Sequence, residues 1–265
     1  MSKTWEFIKL HAPAVRAGGL ALAALVILAI GIWLYTSGRA DKSWALLGKA
    51  EDEARGAAEK LDKGGNLNEA ERKQLQRDQE NIAIEKLKAI GPQLAGTPAE
   101  PTYLKKLGDA LLDQREEKPL KEAVGVFTQL LEKHPKFNFV VLAQLDRGKA
   151  LFELKDYTKA AADFEAVYRQ SSVGEHSKLG LAAEAKWFEA KCYENQGEVA
   201  KATEAYKVCV EQSKGSAWAQ LAEQALRNIR AGIPTSQLLK EVEEPPKPPA
   251  ETPKKDPEKN DPPTK

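Results

Sequence analysis

AQLDRGKALFELKDYTKAAADFEAVY, Ala143–Tyr168, is the stretch that decides the fold. Gly148 is a small residue on a first predicted helix, and Leu151 follows three later on the same side. Lys155-Asp156-Tyr157 makes a turn. Ala160 is the small residue of a second helix, with Phe164 and Val167 behind it at helical spacing. Small residues on two facing helices let the backbones approach closely, and an aromatic one turn later fills the wedge between neighbouring pairs.

The same skeleton recurs on both sides. From Ala185 to Val210, Ala190, Tyr193, Gly197, Ala202, Tyr206 and Cys209 keep the offsets without a gap. Upstream, Gly108, Leu111, Ala123, Phe127, Leu130 and a closing Pro135 repeat the theme, with three extra residues expected in the turn near Glu117-Lys118-Pro119. The three blocks resemble tetratricopeptide repeats, over about Pro101 to Lys214. They depart from that family in two respects. Their starts lie about 40 residues apart, where the family has about 34. The large residue usual on the first helix is Leu104, Gln144 and Lys186, which predicts weaker packing there.

Outside the blocks, residues 41–96 read as a helical hairpin, a degenerate repeat opened by Trp44, Leu47 and Gly48. A helix from Ser43 to Leu61 is broken by Lys63-Gly64-Gly65-Asn66, and a second runs from Asn68 to Ile90. A free coiled coil is the alternative, since charges flank an Ala-rich seam. Residues 97–232 then hold the repeats and a capping helix, with Trp218, Leu221, Ala222, Ala225 and Ile229 on one side and Gly232 and Pro234 as the stop. Residues 233–242 are a short helix or linker. Residues 243–265, EEPPKPPAETPKKDPEKNDPPTK, carry eight of the fifteen prolines and no aromatic, the composition of a disordered tail.

The other end is of a different kind. After a short polar tail, 1–16, residues 17–38 contain no charge, and their centre reads GLALAALVILAIGIWLY, Gly19–Tyr35. That is the length of a transmembrane anchor, with Trp33 and Tyr35 placed as interfacial aromatics. Gly38-Arg39-Ala40 offers small residues to a signal peptidase, but the apolar run exceeds the usual h-region of about 7–15 residues, which favours an uncleaved span. Lys3, Lys9 and Arg16 before it are matched by Arg39, Lys42 and Lys49 after it, so the positive-inside rule leaves orientation open. The expected fold class is thus all-α: an N-terminal transmembrane helix, an α-solenoid of tetratricopeptide-like helix pairs and a disordered Pro-rich tail.

Lysine plus arginine total 40 against 39 acids, and the net charge of +1 argues against a nucleic-acid partner. No Gly-rich phosphate loop, HExxH or GxSxG occurs, so no catalytic residue, small-molecule substrate or cofactor is expected, and the protein reads as a non-enzyme. His11, His134 and His176 are far apart, and with two cysteines no metal site is expected. His134, before Pro135, is expected to face helix-end carbonyls. Cys192 and Cys209 are expected as separate core thiols.

Binding is expected on one face of the first helices, where Leu142, Leu145, Lys149, Phe152, Trp187 and Lys191 would make an apolar floor rimmed by lysines. The alternative is that the apolar members pack between blocks. The family's carboxylate clamp is not predicted: Lys105 fits it, but Asp109, Lys149 and Lys191 stand where it needs Asn. In its order of tail, anchor, hairpin and repeats the chain resembles bacterial membrane-anchored repeat proteins, the ancillary subunit of the Sec translocon above all. That resemblance implies a short cytoplasmic tail, one span of the inner membrane, a periplasmic repeat domain, and a role in passing newly exported proteins to chaperones. The expected partners are proteins or peptides, with a homo-oligomer or a cytosol-facing adaptor as alternatives.

Overall fold

The computed structural model describes residues 37–60, 67–172 and 180–232, which hold nine α-helices and no strand. These are α1 (37–60), α2 (Glu69–Leu94), α3 (Glu100–Asp113), α4 (Glu117–Lys133), α5 (Val140–Glu153), α6 (Tyr157–Ser171), α7 (Leu181–Asn195), α8 (Val199–Gln212) and α9 (Ala217–Arg230). No helix among the described residues is long and apolar enough to cross a membrane. The apolar run 17–38 lies outside the described residues up to position 36. The Pro-rich tail and residues 233–242 lie outside them entirely. The helices form two compact units, one ending at Val167 and one beginning at Tyr168.

In the first unit the hairpin belongs to the repeat core. Leu47 and Ala50 of α1 and Ile84, Leu87, Ile90 and Leu94 of α2 share one buried cluster with Tyr103, Leu104 and Leu107 of α3. A free coiled coil is thereby replaced by an opening pair that packs on the next one. Asn68 caps α2 in a reciprocal box with Glu71, each satisfying a backbone N–H of the other. The helix runs past the expected stop at Ile90, through Gly91-Pro92, to Leu94. Proline removes one helical hydrogen bond, but Leu94 is fully buried and Ala95 N–H closes the end on the Gly91 carbonyl.

The pairing logic is visible in the glycines. A methyl group on Gly108 would sit 2.5 Å from the Phe127 ring, and one on Gly148 would sit 2.8 Å from Phe164. Both rings are fully buried, so each glycine is the seat of its partner's aromatic. The expected positions for the small residues and aromatics are therefore the contact points of α3 with α4 and of α5 with α6.

The turn of the first block corrects the sequence reading. Glu117-Lys118-Pro119 is the opening turn of α4, where a proline needs no N–H partner. The loop is residues 114–116, as long as 154–156 and 196–198. Arg115, Lys155 and Gly197 hold the same place in these loops with φ of 52°, 63° and 78°. The three extra residues lengthen a helix, and the turn itself keeps one geometry across the blocks.

In the second unit α7, α8 and α9 pack mutually. Its core is Ala190, Ala202, Ala205, Tyr206, Cys209 and Ala222, with Trp187, Tyr193 and Trp218 against it. Ser216 caps α9 through Ala219 N–H, and Gly232, at φ 66°, follows its end.

Candidate functional site

The first helices of the first two blocks, α3 and α5, lie side by side in the first unit. Along α3 the helical period puts Lys105, Asp109 and Leu112 on one face, with Asp113 beside them. Along α5 it aligns Leu142, Asp146 and Lys149. The two faces meet through Lys105, whose ammonium contacts Asp109 Oδ1 at 2.6 Å and Asp146 Oδ2 at 3.0 Å. Asp146 also receives Lys149, at 3.4 Å. The Lys105 and Asp146 side chains are each 12% exposed, so this network is a half-buried seam rather than a solvated face.

Burial pushes the Asp109 carboxyl above the usual aspartate range, opposed by its hydrogen bond from Lys105 and reinforced by Asp146 and Asp113. Burial likewise raises Asp113, with Arg115 opposing. Lys105 is thus shared between two carboxylates, Asp109 on its own helix and Asp146 on α5. Such internal pairs can be exchanged for the charges of a polypeptide laid along the face, while half-buried Leu112 and Leu142 offer it apolar contact.

Leu142, Lys149 and Phe152 are half-buried on α5, with Phe152 edge-on to Tyr157 at 5.4 Å. Leu145 is fully buried and cannot be part of an exposed floor: it falls on the side of α5 turned into the core. Trp187 and Lys191 lie on α7 in the second unit. Trp187 is half-buried and packs at 4.9 Å on Phe188 and 5.4 Å on Trp218, which makes it a packing residue. Lys191 is tied to Glu194 at 2.8 Å. Glu194 also accepts the buried Tyr206 hydroxyl at 2.8 Å, and burial next to that carboxylate pushes the phenol far up.

Of the three positions expected to pack weakly, one is core and two have polar partners. Leu104 is buried, Gln144 Nε2 donates to Asp163 at 3.3 Å, and Lys186 pairs with Glu189 at 2.7 Å and lies 4.2 Å over the Tyr168 ring. Asp163 is buried and gripped at both oxygens by Arg147, which also donates to Thr128. The Asp146 and Asp163 contacts were missed in the sequence. Lys105 and Asp109 announce themselves at i, i+4, but partners on another helix leave no local signal.

His134 is also corrected. Its Nε2 makes no hydrogen bond among the described residues and lies 3.4 Å from Oε2 of buried Glu100, which accepts from Gly96 N–H. Cys192 and Cys209 are free and buried, and burial raises their thiols to about 12 and about 11. Among the described residues no three His, Cys, Asp or Glu side chains group as metal ligands.

Comparison with known proteins places this geometry. Among curated proteins none matches the chain. Among solved structures, MamA from residue 41 to its end, from Desulfovibrio magneticus RS-1, is similar with 19% identity and a TM-score of 0.48, over 72% of this chain and 90% of that one. The family model of the tetratricopeptide repeat matches residues 105–175 and again 145–217. The helix pairs built on Gly108–Phe127, Gly148–Phe164 and Ala190–Tyr206 lie within the residues that match the tetratricopeptide-repeat model.

Proposed function

We propose that this protein is a membrane-tethered, non-enzymatic scaffold that binds other proteins along the first helices of its repeats. The observation that carries the reading is the tandem helix pair, with a half-buried seam of Lys105, Asp109, Asp146 and Lys149 between α3 and α5. Repeats of this kind present a surface rather than a pocket, and their partners are typically polypeptides. The uncharged run 17–38 supplies the tether. We place the repeat domain on the periplasmic side of the inner membrane, assisting protein export or envelope protein assembly. Support for this is the order of tail, span, hairpin and repeats, which resembles the Sec ancillary subunit. No nucleic acid, metal, cofactor or small-molecule substrate enters the proposal.

Three measurements on the full chain test it. Carbonate-washed membranes should retain the protein, and release would remove the tether. Alkaline phosphatase fused after Lys265 should be active. Inactivity together with a fluorescent cytosolic reporter would instead favour an anchored adaptor facing the cytosol. The detergent-solubilised chain should have the mass of one copy. A defined larger assembly would favour a self-assembling envelope protein.

A further inference from the structure

Helix α1 is already helical at residue 37 and continues unbroken to 60. One side of its first turns is closed by Ser43, Leu47 and Ala50, all buried. The Ser43 hydroxyl donates to the Ala40 carbonyl at 2.7 Å, so this end is internally satisfied. The exposed charged positions of these turns are Arg39, Asp41, Lys42 and Lys49, the last paired with Glu53, and Trp44 stands among them at 45% exposure. An indole this exposed, on a helix end where Arg39 and Lys42 outnumber Asp41, fits an environment that is apolar on one side and anionic on the other.

The distances name that environment. The uncharged run ends at Gly38. Trp44 follows six residues later, about 9 Å along a helix. The polar layer outside a bilayer's hydrocarbon core is about 5–8 Å deep on each side. Side chains on a helix lean toward its N-terminus, so the Trp44 indole covers the turn before its own Cα and reaches back into that layer. Arg39 and Lys42, one and four residues past the run, stand at the depth of lipid phosphates.

We infer that the opening turns of α1 are a lipid-headgroup contact, with Trp44 seated in the interface and Arg39 and Lys42 on anionic phosphates. This fixes the height at which the repeats stand above the bilayer. It rests on the tether proposed above, and the test separates the two. W44C and D52C variants of the full chain are each labelled with a thiol-reactive fluorophore. The label goes to the new thiol because Cys192 and Cys209 are buried. Each is reconstituted in phosphatidylcholine–phosphatidylglycerol vesicles containing a lipid with a headgroup nitroxide. Quenching at position 44 should exceed that at 52, eight residues farther out, by at least twofold. R39Q/K42Q should lessen quenching at 44 in the anionic vesicles but not in pure phosphatidylcholine. Equal, weak quenching at both positions in carbonate-resistant vesicles overturns this inference alone. Shielding of position 44 from aqueous iodide that grows with protein density also overturns it, in favour of a second copy. Release of the chain by carbonate overturns the tether and the contact together.

Discussion

Single side chains set the spacing of the helix pairs, and glycines test this because their surroundings differ so sharply. Gly125, exposed in α4, has nothing within 4 Å of where an added methyl group would lie, whereas at Gly108 that methyl meets a buried ring at 2.5 Å. Gly125→Ala should therefore stabilise by about 0.5–1 kcal/mol, the helix-propensity gain. Gly108→Ala gains the same propensity but must displace Phe127, and should lose about 1–3 kcal/mol net. Denaturant midpoints of the two variants should move in opposite directions; a shared direction would mean the α3–α4 contact is misplaced. Fully buried Ala160 and Ala202 play the same part on second helices, so Ala160→Leu and Ala202→Leu should each cost about 1–3 kcal/mol. The turns offer the reverse case. Lys155 sits at φ 63° where the third block has glycine, so Lys155→Gly should raise the melting temperature, by about 1 kcal/mol of stability. These positions were legible in the sequence because the pattern small, turn, small, aromatic is local. The left-handed geometry of Arg115 and Lys155 was not, since neither residue type advertises it.

At the scale of elements, helix existence followed from period and caps, and the misreadings came from tertiary contacts. Residue pattern ended α2 at Ile90, but burial of Leu94 carries it across Pro92. The free coiled coil was ruled out by the packing of α2 on α3, which periodicity alone cannot show. The α3–α5 seam makes an electrostatic prediction. Asp109 holds its proton to higher pH folded than unfolded, so ionisation weakens the fold as pH rises above the ordinary aspartate value. Asp109→Asn mimics the protonated acid. It should be at least as stable as the parent at pH 7, with the two curves converging near pH 4; urea titrations at both values check this. A variant markedly weaker at pH 7 would mean that the Lys105 pairing outweighs burial. In the second unit Trp187 is wedged between Phe188 and Trp218, so Trp187→Ala should destabilise α7–α9 by about 2–4 kcal/mol, somewhat below a fully buried truncation. An unchanged melt would return Trp187 to the binding face.

For the whole molecule, composition and repeat pattern were enough for an all-helical repeat protein, without strands among the described residues. The proposed binding face was legible only in part. Leu142 and Lys149 flank the seam, but Leu145 turned inward, because an offset of one helical step decides between core and surface and the sequence does not fix rotation about α5. The tether makes its own prediction: Val26→Arg puts a charge near the bilayer midplane at a cost of about 2.5–3.5 kcal/mol, and should shift part of the protein out of the membrane fraction. The claim that the repeats bind proteins along α3 and α5 is tested most directly by site-specific photo-cross-linking in intact cells. The photoreactive residue is placed at Leu112 or Lys149 on the seam, and at Lys121 on the exposed side of α4 as the control. The account predicts the same discrete adducts from 112 and 149 and none from 121. Adducts from 121 alone, or equally from all three, would contradict it.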